Sequence, residues 1–164
     1  MKLILEDNKL IIFLNRMYVD KNNFEDKKET EKFLRCLINR LKRNYELEFN
    51  GYYNITLYFD KIYGIVISIE KEDLEYFDYF NGQMDFSIRV IKNEFLYQLQ
   101  ELLDKNLLSK FIIYKNKTNF YLKPKMDLTP KDMGILLENS VIIFDEQTKE
   151  IIKSSKVMKG WLYA

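Results

Sequence analysis

The sequence contains no histidine and a single cysteine, Cys36, among its 164 residues. Without histidine, the chain cannot form a Ser-His-Asp or Cys-His nucleophile, a histidine general base or a zinc site with histidine ligands. A single cysteine excludes an intramolecular disulfide and leaves no set of thiolates for zinc or an iron–sulfur cluster. Any catalysis would have to use carboxylates, lysine, tyrosine or hydroxyl groups. The sequence therefore predicts no catalytic residue, no metal site and no cofactor.

An excess of charge of either sign is also missing, because 26 Lys and Arg residues accompany 25 Asp and Glu residues and the net charge is +1. A general binder of polyanions is usually basic overall or on one face. No apolar run approaches the roughly 18 residues that a membrane-spanning helix needs. The segment Met1–Asp7 meets acidic residues at once and does not resemble a signal peptide. We therefore expect a cytoplasmic protein without a membrane partner.

Alanine is almost absent, with one copy at Ala164, whereas twelve Tyr and twelve Phe bring the aromatic content to 15%. Such a composition is typical of codon usage in an AT-rich genome. The aromatic content therefore does not by itself indicate a base-stacking surface for nucleic acid.

The first half of the chain shows a hairpin, a helix and a second hairpin. Leu3–Leu5 and Leu10–Leu14 flank a polar turn and predict a β-hairpin, whose pairing Tyr18 can extend. Asp26 is placed to cap a helix whose apolar residues recur at the helical spacing. These residues are Phe33, Leu34, Leu37, Ile38 and Leu41. Two strands are predicted within residues 52–69, where aromatic alternation gives way to a β-branched run.

The second half alternates strands and helices in the same way. Residues 86–91 predict a strand, and the apolar spacing in residues 95–103 predicts a helix. Residues 111–122 predict a hairpin, after which Thr129 and the following proline mark a helix start. Residues 141–153 predict a last hairpin.

Because helices lie between hairpins, the sequence predicts an α+β fold in which helices pack on antiparallel sheets built from hairpins. The acidic stretch before Asn81-Gly82 predicts a boundary between two small lobes. Residues 1–82 would form an N-terminal β-hairpin/helix/β-hairpin lobe. Residues 83–164 would form a C-terminal helix/β-hairpin/helix/β-hairpin lobe, with residues 154–164 as a loosely held tail.

An acidic–aromatic segment, residues 70–80, holds five carboxylates and four aromatic residues. Three functions fit it: a divalent-cation site, an acid/base pair, or an interaction patch in which exposed aromatics contact a partner. A linker whose aromatics pack on the core is the structural alternative. We interpret the segment as the partner-binding surface, with these residues as the contacts: Glu72, Asp73, Glu75, Tyr76, Phe77, Tyr79 and Phe80.

A basic helix is the second unusual feature. Between Lys27 and Arg43 the predicted helix carries seven basic residues and two glutamates, a net charge of +5. Such a face can meet nucleic-acid phosphates, an acidic membrane surface or an acidic protein, or it can be an ordinary solvated face that pairs within the chain. The predicted secondary basic patch is Arg35, Arg40, Lys42 and Arg43. Cys36, beside the apolar stripe, is expected to be a small core residue.

Two stretches of the chain resemble the MecA-type adaptor proteins of low-GC Gram-positive bacteria, which present substrates to a Clp ATPase–protease. In the first, residues 33–38 lead through Glu48–Gly51 to the strand residues 55–58 and 64–68, similar to the family's N-terminal lobe. In the second, Phe95–Leu103, the hairpin at 113–122 and Asp127–Leu137 resemble the C-terminal lobe. The resemblance implies a bacterial adaptor of a protease and assigns no role to any single residue.

The sequence thus predicts a non-enzymatic protein that binds another protein, as an adaptor, regulator or inhibitor of bacterial or phage machinery. The alternative is a nucleic-acid-binding regulator that uses the basic helix 27–43. A small enzyme working with carboxylates or a metal is a third hypothesis.

Overall fold

A computed structural model of the protein describes residues 1–20, 24–72 and 83–159. The chain divides into two compact units. The first comprises Met1–Phe59 with Gly64–Lys92, and the second comprises Asp60–Tyr63 with the chain from Asn93. Each unit is built around one five-stranded sheet. The predicted α+β class, with two small lobes on largely antiparallel sheets, is confirmed.

The first unit runs in the order β1, β2, α1, α2, β3, β4 and β5. The bounds of these elements are Lys2–Glu6, Lys9–Asn15, Arg16–Val19, Lys27–Asn44, Gly51–Asp60, Gly64–Lys71 and Met84–Lys92. The strand order across the sheet is β1-β2-β4-β3-β5. β2 pairs antiparallel with both β1 and β4, so Leu10 lies opposite Leu5 on one side and Ile69 on the other. β5 pairs parallel with β3, with Phe86 opposite Tyr53.

The placement of β5 corrects the expected boundary between the lobes. The sequence assigned the strand at 86–91 to the second lobe, beginning at residue 83. In the structure this strand belongs to the first sheet, and the second unit begins at Asn93. A parallel partner lies far away in sequence and leaves no local turn signal, which is why the pattern did not reveal it.

Helix α2 covers one face of the first sheet. The carboxylate of Asp26 caps it by accepting hydrogen bonds from the amides of Lys28 at 2.9 Å and Glu29 at 3.5 Å. Its buried apolar stripe is Leu34, Leu37, Ile38 and Leu41. The stripe packs with alternate residues of β2, β3 and β4, including Leu10, Ile12, Leu14, Ile55, Leu57, Ile65, Ile67 and Ile69. Each such side chain contributes about 1.5–3 kcal/mol on burial, so this interface is the core of the unit.

The first hairpin, the helix α2 and the strands between residues 52 and 69 are confirmed. The extension of the hairpin at Tyr18 is wrong, because Tyr18 lies in the short helix α1. The Asn15 side chain accepts a hydrogen bond from the Met17 amide at 3.1 Å and starts that helix. A side-chain cap therefore ends the strand before Tyr18.

The second unit runs in the order β6, α3, β7, β8, α4, β9, α5 and β10. The bounds are Leu96–Leu99, Lys105–Leu108, Phe111–Asn116, Asn119–Pro124, Pro130–Glu138, Ser140–Ile143, Gln147–Ser154 and Lys156–Val157. The strand order is β10-β7-β8-β6-β9, with antiparallel pairing throughout. The predicted hairpin β7–β8 is confirmed, as is the start of α4, where the Thr129 hydroxyl accepts a hydrogen bond from the Asp132 amide at 3.1 Å.

Two predicted elements of the second unit are wrong. Residues 95–103 were expected to form one helix, but Leu96–Leu99 is strand β6, held between β8 and β9. Residues 141–153 were expected to form a hairpin, but the second half is helix α5. Ile151 and Ile152 of α5 pack on Leu96 and its neighbours in the sheet. In both places the tertiary partner overrides an ambiguous apolar pattern.

The chain after α5 is held more firmly than expected. β10 pairs with β7, placing Val157 opposite Tyr114. The Met158 amide donates a hydrogen bond to the Ile113 carbonyl at 2.8 Å. The prediction of a loose tail is therefore wrong for residues 154–158. Residues 160–164 lie outside the described part of the chain.

Candidate functional site: the basic face of helix α2 and the edge of strand β5

All seven basic residues of α2 are exposed to solvent: Lys27, Lys28, Lys32, Arg35, Arg40, Lys42 and Arg43. The Arg35 guanidinium pairs with the Glu31 carboxylate at 2.9 Å. Among the residues that the structure describes, the other six have no acidic partner. An exposed pair one helical turn apart contributes only about 0.3–0.5 kcal/mol. The helix therefore presents its positive charge outward instead of neutralising it within the unit.

Arg35 shows which side of α2 faces strand β5. Its guanidinium carbon lies 5.0 Å from the centre of the Phe86 ring, a cation–π contact. Lys28 and Lys42 lie seven residues before and after Arg35, which is close to two helical turns, so they share its side of the helix. We call Lys28, Arg35 and Lys42 the cationic row. Arg40 lies on a different side of α2.

The direction of α2 along β5 follows from a second contact. The Lys92 ammonium lies 2.6 Å from the carboxylate of Glu25, just before the helix. The hydrogen bond from Lys92, and then its positive charge, lower the pKa of Glu25. Glu25 therefore lies at the end of β5 and Arg35 lies over Phe86, so α2 runs antiparallel to β5. Lys28 follows Glu25 by three residues, so along the helix axis it lies between these two points and nearer to the Lys92 end of β5.

Among the strands that the structure describes, β5 lies at one edge of the first sheet. The Gly51 amide donates a hydrogen bond to the Gln83 carbonyl at 3.0 Å. In a parallel ladder alternate residues bond to the neighbouring strand, so the N–H and C=O groups of odd-numbered residues face β3. Those of Phe86, Ile88 and Val90 face away from it. The Phe86 amide donates to the Asp85 carboxylate at 2.8 Å. For Ile88 and Val90, the described residues supply no partner on this side.

The edge position of β5 is the feature that sequence reasoning missed. The alternation of residues 86–91 predicts a strand, but not its neighbours. Five of the nine residues of β5 are exposed: Asp85, Ser87, Arg89, Val90 and Lys92. The polar and apolar alternation along β5 is the one signal that could have indicated a half-exposed strand.

Of the seven predicted partner-binding residues, Glu72 alone lies in the described part of the chain. Its carboxylate accepts a hydrogen bond from the Asn54 amide group at 2.9 Å, and Asn54 accepts one from the Ser87 hydroxyl at 3.0 Å. Glu72 thus belongs to a polar network that links β3 and β5. The other six residues lie outside the described residues: Asp73, Glu75, Tyr76, Phe77, Tyr79 and Phe80.

The four residues of the predicted basic patch lie on α2, but not on one side of it. Arg35 and Lys42 belong to the cationic row, Arg43 points outward, and Arg40 lies on another side. Cys36 is exposed beside them, so its assignment to the core is wrong. The helical turn carries it past the apolar stripe onto the solvent face.

The second unit contains a buried acidic residue, Asp60, which is 8% exposed and is the last residue of β3. Its carboxylate accepts three backbone hydrogen bonds, from Ile62 at 2.8 Å, Tyr63 at 2.7 Å and Phe95 at 2.9 Å. These bonds fix the turn against the start of β6. Because the carboxylate is fully engaged in holding the backbone, we assign Asp60 a structural role.

Tyr97 lies close to this carboxylate and is completely buried. Its hydroxyl has no hydrogen-bond partner among the described atoms. Burial, and then the negative charge of Asp60, raise the pKa of Tyr97 well above its usual value. The phenol therefore stays protonated and is a source of instability in this core.

Among the described residues, no three acidic or cysteine side chains lie close enough together to hold a metal ion. Within the same ranges, every helix is too short or too polar to cross a membrane. No family model, curated protein or solved structure matches the chain.

Proposed function

We propose that the protein is a non-enzymatic binding protein, an adaptor, regulator or inhibitor, whose first unit docks an acidic protein through helix α2. The observation that supports this function is the set of six exposed cations on α2 without an acidic partner in the described chain. Negative charge on the partner would accelerate association with α2. The positive charge of α2 would repel basic proteins. The acidic–aromatic segment 70–80 stays a predicted second protein contact, made through its aromatic side chains and not through positive charge.

Capture of partners from a lysate of the source cell tests this function. A variant carrying Lys28→Gln, Arg35→Gln and Lys42→Gln should lose the captured proteins, because it removes three of the exposed charges. The matched control carries Lys105→Gln, Lys117→Gln and Lys149→Gln, three exposed lysines of the second unit. The lysate is treated with nuclease, so that proteins held through nucleic acid are released. Retention of every partner by the α2 variant would show the proposal to be wrong.

The predicted aromatic contact needs its own variant. Tyr76→Ala together with Phe80→Ala changes no charge, so it separates the segment from α2. If the segment contributes, capture should fall for this variant as well. Unchanged capture would remove the segment from the binding surface and leave the role of α2 standing.

Nucleic-acid binding is the second candidate, and the same six cations favour it, because each can neutralise a phosphate. A complex with six phosphate contacts should weaken about a thousandfold in affinity between 50 and 200 mM salt. Titration of labelled duplex DNA and single-stranded RNA at both salt concentrations measures this. Absence of binding at 50 mM salt would rule the candidate out.

A further inference from the structure

We infer that the outer edge of β5 accepts an extended acidic segment of the partner as a sixth strand of the first sheet, an inference that rests on the protein-binding function proposed above. It adds the mode of recognition and the chemistry of the partner segment. In this mode the main chain of the partner supplies hydrogen bonds, while its alternate side chains supply the selectivity.

The main-chain part of the site is the stretch from Ile88 to Val90. Both residues direct an N–H and a C=O away from β3, so the stretch offers two donors and two acceptors at the spacing of a strand. Val90 is 39% exposed, so solvent reaches the strand at this position. Before this stretch, the Asp85 carboxylate occupies the Phe86 amide. Charged side chains commonly protect sheet edges in this way, so the open stretch begins after Phe86.

The selectivity part of the site is the cationic row. A strand added to the outer edge of β5 would lie about 4.8 Å from β5. One face of that strand would lie on the same side of the sheet as Arg35, which contacts the Phe86 ring. Lys28 and Arg35 are about 10 Å apart along the helix axis and flank the open stretch. Side chains on one face of a strand repeat about every 7 Å. Two or three successive side chains on the α2 side of the partner strand would therefore lie near these cations. Glutamate or aspartate at those positions fits best.

A second copy of the chain fits the edge less well. Two β5 strands paired about a twofold axis would place both α2 helices on the same side of the joined sheet. Their cationic rows would then face each other and repel. The charge of α2 therefore selects an acidic partner segment.

Fluorescence anisotropy with a labelled peptide and the full-length protein tests the inference. The probe is Val-Glu-Val-Glu-Val-Glu-Val, which alternates as a strand does and carries its charge on one face. One comparison peptide has glutamine in place of glutamate. The other keeps the glutamates but carries N-methyl groups on two adjacent central residues. Successive N–H groups of a strand point to opposite edges, so this change removes one main-chain donor from each edge without changing the charge. We expect at least tenfold weaker binding for both.

Variants of the edge test the same contact from the protein side. Val90→Pro removes an outward N–H that takes no part in the ladder with β3, so the sheet should tolerate it. Val90→Thr keeps the N–H and serves as its control. We expect binding of the probe peptide to weaken at least tenfold for Val90→Pro and to stay within twofold for Val90→Thr. Circular dichroism of each variant checks that the fold is retained.

Variants of α2 test the selectivity. Lys28→Gln with Arg35→Gln should weaken binding of the probe peptide at least tenfold. Arg40→Gln with Arg43→Gln makes the same change in net charge away from the Arg35 side of the helix, and should have a smaller effect. Equal effects of the two pairs would mean that only net charge matters. That result would overturn the inference that the cationic row confers the selectivity for acidic segments.

Several outcomes would contradict the strand addition. Equal affinity for the methylated and unmethylated peptides would overturn it and leave acidic-protein binding intact. Failure of the probe peptide to bind at 50 mM salt would overturn it as well, while the capture experiment judges the proposed function separately. A wild-type dimer that Val90→Pro dissociates in analytical ultracentrifugation would show that a second copy occupies the edge instead.

Discussion

At the scale of single residues, the second unit tolerates a polar group that its core does not satisfy. Tyr97 buries its hydroxyl without a partner among the described atoms, whereas Tyr53 in the first unit exchanges two hydrogen bonds with the Asn50 main chain, at 3.0 and 3.2 Å. A buried donor without a partner costs about 1–3 kcal/mol, while a satisfied one contributes about 1 kcal/mol. The same chemical group should therefore have opposite effects on stability at the two positions.

Tyr97→Phe should raise the free energy of unfolding by about 1 kcal/mol, because it removes only the unsatisfied hydroxyl. Tyr53→Phe should lower it by about the same amount. Urea titrations followed by circular dichroism measure both. A loss of stability in Tyr97→Phe would mean that the hydroxyl has a partner after all.

At the scale of elements, two glycines with different surroundings give the next prediction. Gly64 begins β4 with a φ of 129°, and an added Cβ would lie 2.5 Å from the Leu14 carbonyl oxygen. Gly134 lies inside helix α4, and an added Cβ would meet no described atom within 4 Å. The first glycine is required by the backbone, and the second only weakens its helix.

We expect Gly64→Ala to lower the free energy of unfolding by more than about 2 kcal/mol, through strain and the clash with β2. Gly134→Ala should raise it by about 0.5–1 kcal/mol, because alanine favours the helix. Thermal denaturation of the two variants beside wild type measures both effects. A neutral Gly64→Ala would contradict the close approach of β4 to the β2–α1 junction.

The elements also show where sequence reasoning succeeds and where it fails. Helix α2 was predictable because its cap, its apolar stripe and its charges all indicate the same structure. Strand β6 was not, since Leu96 and its apolar neighbours fit a helix as well as a strand, and only the pairing with β8 and β9 selects one. Helix α5 was missed because Ile151-Ile152 favours a strand locally, while packing on the second sheet favours a helix.

At the scale of the whole molecule, the absence of histidine makes stability nearly independent of pH in the neutral range, where histidine is the usual titrating side chain. The alkaline range is different. Burial raises the pKa of Tyr63 to about 12 and also raises the pKa of Tyr53 and of Tyr97. Between pH 10 and the folded-state pKa, the unfolded chain loses these protons while the folded chain keeps them.

The free energy of unfolding should therefore be constant between pH 6 and 9 and fall as the pH rises above 10. For Tyr63 alone the expected loss at pH 11 is about 1.4 kcal/mol. Urea midpoints at pH 7, 9, 10 and 11 measure the fall, and Tyr63→Phe should show a smaller one. A fall between pH 7 and 9 would contradict this account.

The sequence by itself determined the chemistry of the protein and much of its local structure. The lack of histidine and the single cysteine excluded most catalytic mechanisms. The charge of α2 could be predicted because it depends only on composition and the helical period. Only the tertiary structure decided that β5 joins the first sheet as the edge of its described strands, and that Cys36 and the cationic row face outward. It also decided that the Tyr97 hydroxyl lies near Asp60 without a hydrogen-bond partner among the described residues. These features depend on which distant segments meet, and such contacts are set by the packing of the whole unit and not by any local pattern.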